Sequence, residues 1–418
     1  MNNSEKTLKG RKLYIPQMSH ESARCLSAAF QSIGVDAQPS PAGDALTYDL
    51  ARRHLSGDEC LPQAVTLGNF LKVTEDSEYD PAKTAFLMPT SNGPCRFGHY
   101  LQLTEKIMGQ NGRDDLLIFS MSSSDGYKSI GEGAKELFRT GWRAVLTSDI
   151  LRKLLLKTRP YELEPGATDR VFAESLDRVC AALAEPGISH GTRLKNIVNA
   201  LTETRDAFRA VKQDRSQSRP LIGIVGEIFC RLNGFSNDEL IRVVERFGGE
   251  VWMSDVSEWV WYTNDEERLR LDQQGKHISL QMFGYKLKHA IMGHDEHRMM
   301  EPFKQDFAGY EEPEDVLEIL ERSRPYLPRE GSHGEMVMSV GKAIWYHDKG
   351  AAGVIDISPF TCMNGIITEA IYPHVIRDLD EFPIRVFYFD GIQSSVESDV
   401  EIFMELAKNY VHKKQRAV

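Results

Sequence analysis

The chain has 418 residues, of which 41% are hydrophobic and 27% are charged, a balance typical of a globular protein in water. Its length predicts two or three domains. With 50 Lys and Arg residues against 61 Asp and Glu residues, the formal net charge is −11, and the sequence contains no basic tract. Nucleic acid is therefore not an expected partner, because a phosphate backbone is bound by clustered positive charge.

No stretch approaches the roughly 18–20 apolar residues that cross a bilayer, and residues 1–6 carry no apolar run of a secretory signal. We therefore expect a cytoplasmic protein that does not enter a membrane. Six cysteines without framework spacing, in a reducing compartment, are expected to be small core residues or metal ligands and not disulfides.

Short β-branched or aromatic runs recur along the chain, each followed by a polar or Gly/Pro-containing turn and a helical pattern. Such alternation of strands and helices predicts parallel sheets that helices cover on both faces. The predicted strands are residues 12–15, 85–88, 116–119, 221–225, 251–253, 354–357 and 385–389.

We predict an α/β fold of two open parallel-sheet lobes, Rossmann-like or flavodoxin-like, with helical insertions. The N-terminal lobe covers residues 1–150 and the C-terminal lobe residues 216–418. A charged helical connection is predicted for residues 151–215, and a helical insertion for about residues 263–348. Because open α/β sheets bind ligands beyond the carboxyl ends of their strands, the cleft between the lobes is the predicted place for a functional site.

One helix of the second lobe can be predicted in detail. Ser236 and Glu239 have the spacing of a capping box, which would begin a helix. An apolar stripe over residues 240–247 follows, and Gly248 suits the left-handed conformation that ends a helix. The sequence therefore predicts a short α/β unit that leads directly into the strand at residue 251.

Three cysteines lie in loops that contain Gly or Pro. Cys95 and Cys362 follow predicted strands, and Cys60 stands before a helical run. Backbone N–H groups at a helix N-terminus stabilise a thiolate placed there. Three thiolates from separate loops suit zinc, a mononuclear iron or a 4Fe-4S cluster. A closed structural zinc site usually contains a C-x2-C pair, which this chain lacks, so that site is the least favoured of the three.

The remaining three cysteines have different surroundings. Cys25 and Cys180 lie among apolar residues at helical spacing and are predicted to be core residues. Cys230 follows the predicted strand at residues 221–225. It either reaches the same cleft as a fourth ligand or packs in the core.

Four segments of the chain resemble, in order, the motifs of one protein family. They are Ser56-Gly-Asp-Glu-Cys-Leu-Pro, Met88-Pro-Thr-Ser-Asn-Gly-Pro-Cys-Arg-Phe-Gly-His-Tyr, Val225-Gly-Glu-Ile with Asn233-Gly-Phe-Ser-Asn-Asp, and Ser358-Pro-Phe-Thr-Cys-Met-Asn-Gly-Ile. Phe389-Asp-Gly resembles the closing strand of the same group. The family is that of the 2-hydroxyacyl-CoA dehydratase subunits and the related CoA-protein activases.

The resemblance implies an oxygen-sensitive 4Fe-4S cluster bound by Cys60, Cys95 and Cys362 in an anaerobic setting. It also implies a partner, a dimeric ATP-hydrolysing iron–sulfur activator that supplies one low-potential electron. In dehydratases of this family that electron forms a ketyl radical of a 2-hydroxyacyl-CoA, which then loses water. Some relatives instead hold a double-cubane cluster, whose six thiolates would here come from two chains in a homodimer or heterodimer.

The chain has no Gly-rich phosphate loop with Lys-Ser/Thr, so we expect it to accept the electron and not to hydrolyse ATP. The leading hypothesis is a lyase or reductase component that acts on a small substrate, with acyl-CoA as the class that the family suggests. The alternative is a non-catalytic iron–sulfur protein that transfers electrons or carries a cluster, which a fourth cysteine ligand would favour. A zinc-dependent or metal-free ligand-binding protein is the third hypothesis.

Two further side chains are candidates for catalysis. Glu59 directly precedes Cys60 and would act as an acid/base or an oxygen ligand, unless it is a solvated loop carboxylate. His99 follows Cys95 by four residues and would donate a hydrogen bond to a cluster sulfide or to substrate, unless it is a surface histidine. Residues 122–125 follow a predicted strand and would line the same crevice.

Overall fold

A computed structural model describes residues 7–90, 95–120, 133–329, 332, 334–392 and 396–417. The described residues form two lobes, each built on a sheet of four parallel strands, and the predicted α/β fold is confirmed. None of the described helices is long and apolar enough to cross a membrane.

The first sheet has the strand order β2-β1-β3-β4, and every neighbouring pair is parallel. Leu13 of β1 pairs with Ala37 of β2 on one side and with Ala85 of β3 on the other. All three side chains are buried, as a sheet covered on both faces requires. The strands are β1 (Lys12–Ile15), β2 (Ala37–Pro39), β3 (Thr84–Leu87) and β4 (Leu117–Phe119).

Among the described residues, seven helices accompany the first half of the chain. The first four surround the first sheet, and the next three follow it in sequence and form a helical layer with α1. They are α1 (His20–Gln31), α2 (Ala45–Arg52), α3 (Leu61–Thr74), α4 (Tyr100–Gln110), α5 (Ala134–Thr158), α6 (Ala167–Ala184) and α7 (His190–Ala210). Short 3₁₀ turns cover Arg96–His99 and Arg159–Tyr161.

The second sheet repeats the topology of the first, with the order β6-β5-β7-β8 and parallel pairing throughout. Ile224 in the central strand pairs with Met253 and Ile355. All seven residues of β7 are buried, which explains why this strand is mostly apolar, with Asp356 and Ser358 as its polar residues. The strands are β5 (Leu221–Gly226), β6 (Glu250–Met253), β7 (Gly353–Pro359) and β8 (Ile384–Phe389).

In the second half of the chain, the described residues include eight helices and a 3₁₀ turn at Glu301–Phe303. They are α8 (Ile228–Leu232), α9 (Leu240–Arg246), α10 (Val256–Gln273), α11 (Leu280–Met300), α12 (Leu317–Ser323), α13 (Glu335–Asp348), α14 (Met363–Asp378) and α15 (Val396–Ala417).

Helices α11 and α13 pack on different parts of the molecule. Tyr346 of α13 fills the space above Gly223 of β5, where an added Cβ would lie 2.3 Å from the ring. In α11, Asp295 is fully buried and accepts hydrogen bonds from Arg139 and Arg143 of α5. Helix α13 therefore covers the second sheet, while α11 is tied to the helical layer after the first sheet.

Two local predictions differ from the structure. Strand β2 was not predicted, because Ala37–Pro39 has no β-branched residue; it lies at a sheet edge, where a proline is tolerated. The capping box at Ser236 and Glu239 is wrong. The N–H and hydroxyl of Ser236 donate instead to Asn233, and Glu239 has a left-handed backbone with φ 54°, so the helix begins only at residue 240.

Candidate metal centre

The strand order of each sheet reverses between its two inner strands, which are β1 and β3 in one lobe and β5 and β7 in the other. Ligands of open α/β sheets bind at such a switch point. The loops after these strands meet across the lobes, since the amide of Asn233 donates to the carbonyl of Gln17 at 2.8 Å. Cys95, Cys230 and Cys362 follow β3, β5 and β7 respectively. The two switch points therefore bring these cysteines to one cleft.

Each of the three predicted ligands is the N-cap of a helix. Cys60 precedes α3, Cys95 precedes the 3₁₀ turn and Cys362 precedes α14, all with extended backbone angles. Cys60 comes from the loop between α2 and α3 and does not follow a strand. Unpaired N–H groups of a first helical turn face each of these positions, as a thiolate ligand requires.

Arg96 joins the three cysteine loops. It is the neighbour of Cys95, and its guanidinium donates to the carbonyl of Asp58 at 2.7 Å, two residues before Cys60. The same guanidinium donates to the carbonyl and the hydroxyl of Thr361 at 3.0 and 2.8 Å, one residue before Cys362. One rigid fork of donors thus fixes the relative positions of loops that are up to 300 residues apart in sequence.

Thr361 has a left-handed backbone with φ 64°. This conformation is unusual for a β-branched residue and persists only where surrounding contacts impose it. The two hydrogen bonds from Arg96 are such contacts. They turn the chain between β7 and α14 so that Cys362 begins the helix.

Glu227 is the carboxylate around which the thiols are arranged. It caps α8 by accepting hydrogen bonds from the N–H groups of Phe229 at 3.0 Å and Cys230 at 2.8 Å. Its negative charge contributes to raising the pKa of four thiols, after the larger effect of burial. These thiols are Cys60, Cys95, Cys230 and Cys362. For Cys362 burial, Glu227 and Glu335 together raise the pKa to about 12.

Cys230 is the most enclosed of these four residues. It is fully buried in α8, whereas Cys95 is exposed. Burial, Glu227 and the neighbouring thiol of Cys362 raise the pKa of the Cys230 thiol well above its ordinary value, and Cys60 adds a smaller effect. The structure therefore brings Cys230 close to two of the predicted ligands while it packs against the apolar core of the second lobe.

Glu335 is a second buried carboxyl group at the cleft. It accepts a hydrogen bond from the N–H of Ile228 at 2.8 Å. Burial and the charge of Glu227 raise its pKa to about 8, and the guanidinium of Arg231 partly offsets this rise. Arg231 is itself held by a hydrogen bond to the carbonyl of Gly226 at 3.0 Å. The Glu335 carboxyl is thus protonated at neutral pH and can give up a proton beside the thiols.

Tyr100 adds a phenol to the site. Its hydroxyl is in short contact with the thiol of Cys60, and only 8% of the residue is exposed. Burial and the proximity of Cys60 raise the pKa of Tyr100 well above its ordinary value, so the phenol keeps its proton as a hydrogen-bond donor to sulfur. It lies in the same motif as Cys95, but its role was not predicted. Neither was that of Glu335, which is more than 100 residues from Glu227.

The two predicted catalytic side chains, Glu59 and His99, make few contacts beyond their own loops. Glu59 accepts hydrogen bonds from the N–H groups of Ser56 and Gly57, at 3.1 and 3.0 Å, and so folds its own loop. Burial acts to raise its pKa, but the backbone N–H groups around the carboxylate lower it overall. His99 is exposed and has no hydrogen bond or ion pair among the described residues. Residues 122–125 lie outside the described residues.

A small cavity of about 10 Å³ continues from this cleft into the second lobe. It is lined by Arg231 and Glu335 on the side of the thiols and by Asp255 and Glu258 on the far side. A volume of this size corresponds to about one water molecule. The cleft is therefore separated from the α10 side of the lobe by a narrow polar gap.

Across the part of the chain that the structure describes, no three side chains of His, Cys, Asp or Glu are grouped as ligands of a single metal ion. The thiols instead come from separate loops around Glu227. Comparison with known proteins adds no assignment: no family model matches the chain, and no curated protein is significantly similar to it.

Proposed function

We propose that the chain is an iron–sulfur protein of the 2-hydroxyacyl-CoA dehydratase type, with a 4Fe-4S cluster bound by Cys60, Cys95 and Cys362. It accepts a low-potential electron from an ATP-hydrolysing activator. It then carries out dehydration or reduction of a small substrate, for which an acyl-CoA thioester is the class suggested by its motifs. The proposal includes a double-cubane cluster shared by two chains as the variant cofactor.

The observation that carries the proposal is the three-way clamp of Arg96. Its hydrogen bonds hold the loops of all three cysteines together at the meeting switch points of two sheets. Each of these hydrogen bonds ends one or two residues from a cysteine, so Arg96 fixes the positions of the cysteine loops relative to one another. Preorganised loops of this kind are what a cofactor that binds one thiolate from each of them requires.

The donor set fits a cubane better than a single ion. In a 4Fe-4S cluster each thiolate binds a different iron, so the ligands surround the group from separate directions. Cys60, Cys95 and Cys362, each at the N-cap of a different helical turn, would bind it in this way. Three thiolates would leave one iron open to substrate, and the cluster would supply one-electron chemistry there.

Several side chains of the protein have definite parts in this proposal. Tyr100 donates a hydrogen bond to the sulfur of Cys60, which tunes its basicity. Arg96 places a positive charge between the loops and lowers the pKa of the Cys60 and Cys95 thiols against the effect of burial. Glu335 holds a proton near neutral pH and can transfer it to substrate in the cleft.

The surface around the site supports docking of an electron donor. Phe360, Met363 and Ile366 flank Cys362 and expose 60%, 39% and 53% of their surface. Exposed apolar residues grouped at a functional edge are typical of protein contact sites. The activator, or a second copy of the chain, would cover them and shield the thiols from solvent.

Anaerobic purification tests the proposal. Iron and sulfide would be quantified, and EPR spectra of the reduced protein recorded, for the wild type, Cys95→Ala and Cys180→Ala. Cys180 is a buried core cysteine of α6 and serves as the matched control. We expect about four irons per chain in the wild type and the control. Loss of iron in Cys95→Ala alone supports the proposal, and stoichiometric zinc or metal-free protein rejects it.

A second candidate function is electron transfer without catalysis, and the position of Cys230 favours it. The Cys230 thiol lies close to Cys60 and Cys362 and would complete the ligation of a fourth iron. In that case Cys230→Ala would change the EPR spectrum and open the cluster to an added ligand such as cyanide. Under the leading proposal, Cys230→Ala leaves the spectrum unchanged, and activator-dependent turnover of an acyl-CoA is retained.

A further inference from the structure

A large cavity lies in the second lobe, away from the cysteines. It has a volume of about 930 Å³, within the range of small-molecule sites. Its walls are the facing sides of α10 and α11 and the segment at residues 304–317. Its lining includes acidic and aromatic side chains, among them Asp255, Glu258, Trp261, Glu296, Phe303 and Glu312.

Two of the carboxylates are neutralised by two buried lysines. Glu312 accepts from Lys153 at 2.5 Å and also pairs with Lys342, and Lys342 bonds to Glu258 at 2.5 Å. Lys342 is fully buried, and Lys153 exposes 6% of its surface. These two positive charges are therefore balanced by two negative charges within the wall.

Asp255 is a third carboxyl group, and Lys153 and Lys342, which pair with Glu312 and Glu258, act on it only at longer range. It exposes only 9% of its surface and lines both this cavity and the small gap toward Glu335. It stands at the N-cap of α10 but makes no capping hydrogen bond, and no described residue forms an ion pair with it. A buried carboxylate without a partner is costly, so its position in a cavity wall points to a missing ligand.

Glu296 is the fourth carboxylate. Its one hydrogen bond in the described structure comes from the indole N–H of Trp261 at 2.8 Å. The charged groups that act most on it, Asp149 and Glu312, are both negative. Burial, Glu312 and Asp149 raise the pKa of Asp255 well above its ordinary value, against a smaller effect of Lys153 and Lys342, so Asp255 and Glu296 are influenced by the same two carboxylates.

The other cations of the lining do not neutralise these two carboxyl groups. Arg268 is paired with Asp265 and Asp272 at 2.8 and 3.0 Å. Lys286 and Lys304 are exposed residues. Of four carboxyl groups in the inner wall, two are paired with lysines, which leaves Asp255 and Glu296 without an ion-pair partner among the described residues.

The aromatic residues of the cavity suit an organic cation. The Trp261 ring is fixed by edge-to-face contacts with Trp142 at 5.4 Å and His289 at 4.8 Å. Phe303 and Phe307 stack at 5.3 Å and are nearly fully buried. Such rings attract ammonium groups and pack against methylene chains. A bare inorganic ion would use neither the volume nor the aromatic surface.

We infer that this cavity binds a small aliphatic diamine or polyamine, with one ammonium group near Asp255 and another near Glu296, and with its methylene chain against the aromatic wall. Two separated ammonium groups match the two carboxyl groups that have no ion-pair partner among the described residues. The inference does not depend on a cluster at the cysteines.

Isothermal titration with putrescine and spermidine tests the inference. We expect both to bind the wild type, and butylamine, with one charge, to bind at least tenfold more weakly. The neutral isostere 1,4-butanediol should not bind. Asp255→Asn and Glu296→Gln should each weaken putrescine binding by roughly tenfold, and the double variant should abolish it.

Glu401→Gln, which removes an exposed carboxylate of α15, is the matched control and should bind like the wild type. Cys95→Ala should also bind like the wild type, which separates this site from the proposed cluster. The inference is overturned if no amine binds the wild type, if butanediol binds as well as putrescine, or if Mg²⁺ alone binds and displaces the amines. Amine binding that survives both carboxylate substitutions also overturns it. The comparison among putrescine, butylamine and butanediol needs no variant.

Discussion

Replacing Glu296 by Gln is expected to stabilise the fold at alkaline pH. Burial and the negative charges of Asp149 and Glu312 raise the pKa of Glu296 to about 7 from its ordinary value of 4.5. The unfolded chain therefore loses this proton more easily than the folded protein. The ionisation of Glu296 does not affect the free energy of unfolding below about pH 4.5. It lowers that free energy increasingly between about pH 4.5 and 7, and by its full amount above about pH 7.

The size of this penalty follows from the two pKa values. They differ by about 2.5 pH units, and each unit corresponds to about 1.4 kcal/mol, so the ionised carboxylate lowers the free energy of unfolding by up to about 3 kcal/mol. The amide of Gln has nearly the same shape and can still accept the hydrogen bond from Trp261. The substitution therefore removes the charge and little else.

Urea unfolding at about pH 4.5 and pH 8.5, in amine-free buffer, measures the effect. Wild type and Glu296→Gln should be nearly equal at the lower pH, and the variant should be more stable by roughly 2–3 kcal/mol at the higher pH. Glu401→Gln, on the exposed face of α15, should show no such pH-dependent difference. An equal stability of wild type and Glu296→Gln at alkaline pH would refute the reasoning about this carboxylate.

Substitutions at three further positions test other contacts. Arg96→Ala removes three hydrogen bonds and should lower the unfolding free energy by about 2–3 kcal/mol and reduce the iron content. Arg96→Lys keeps the positive charge but loses the planar guanidinium, so it should also bind less iron than the wild type. Gly226→Ala should lower the melting temperature and the free energy of unfolding, the latter by at least about 2 kcal/mol. Gly226 has φ 109°, and a Cβ there would lie 2.2 Å from the carbonyl oxygen of Ile357. A melting temperature equal to that of the wild type would contradict this placement. Asp295→Ala leaves Arg143 buried without its carboxylate and should cost about 3–5 kcal/mol in urea unfolding, whereas a loss below about 1 kcal/mol would show that this ion pair is solvated.

Local sequence patterns were sufficient for most of the fold. Runs such as those at residues 221–225 and 354–357 became strands because they are apolar and β-branched, and both faces of a parallel sheet are buried. The placement of Cys95 and Cys362 in loops after strands, and of Cys60 before a helix, also followed from local patterns. These features depend on residues close in sequence.

Other features depended on contacts between distant residues. Ser236 does not cap the helix because its N–H and hydroxyl donate to Asn233 instead. Spacing alone does not show which of several nearby polar groups a side chain will bond to. The approach of Cys230 to the other thiols depended on how two switch points face each other.

The sequence by itself therefore determined the α/β architecture, every described strand except β2, and the candidate thiols, because hydrophobic periodicity and turn residues act over a few positions. Only the tertiary structure decided that Arg96 joins three cysteine loops, that Glu335 lies beside Glu227, and that Asp255 lines a cavity without an ion-pair partner among the described residues. Desolvation and charge pairing arise when distant segments pack together, and no local pattern encodes which groups they bring into contact.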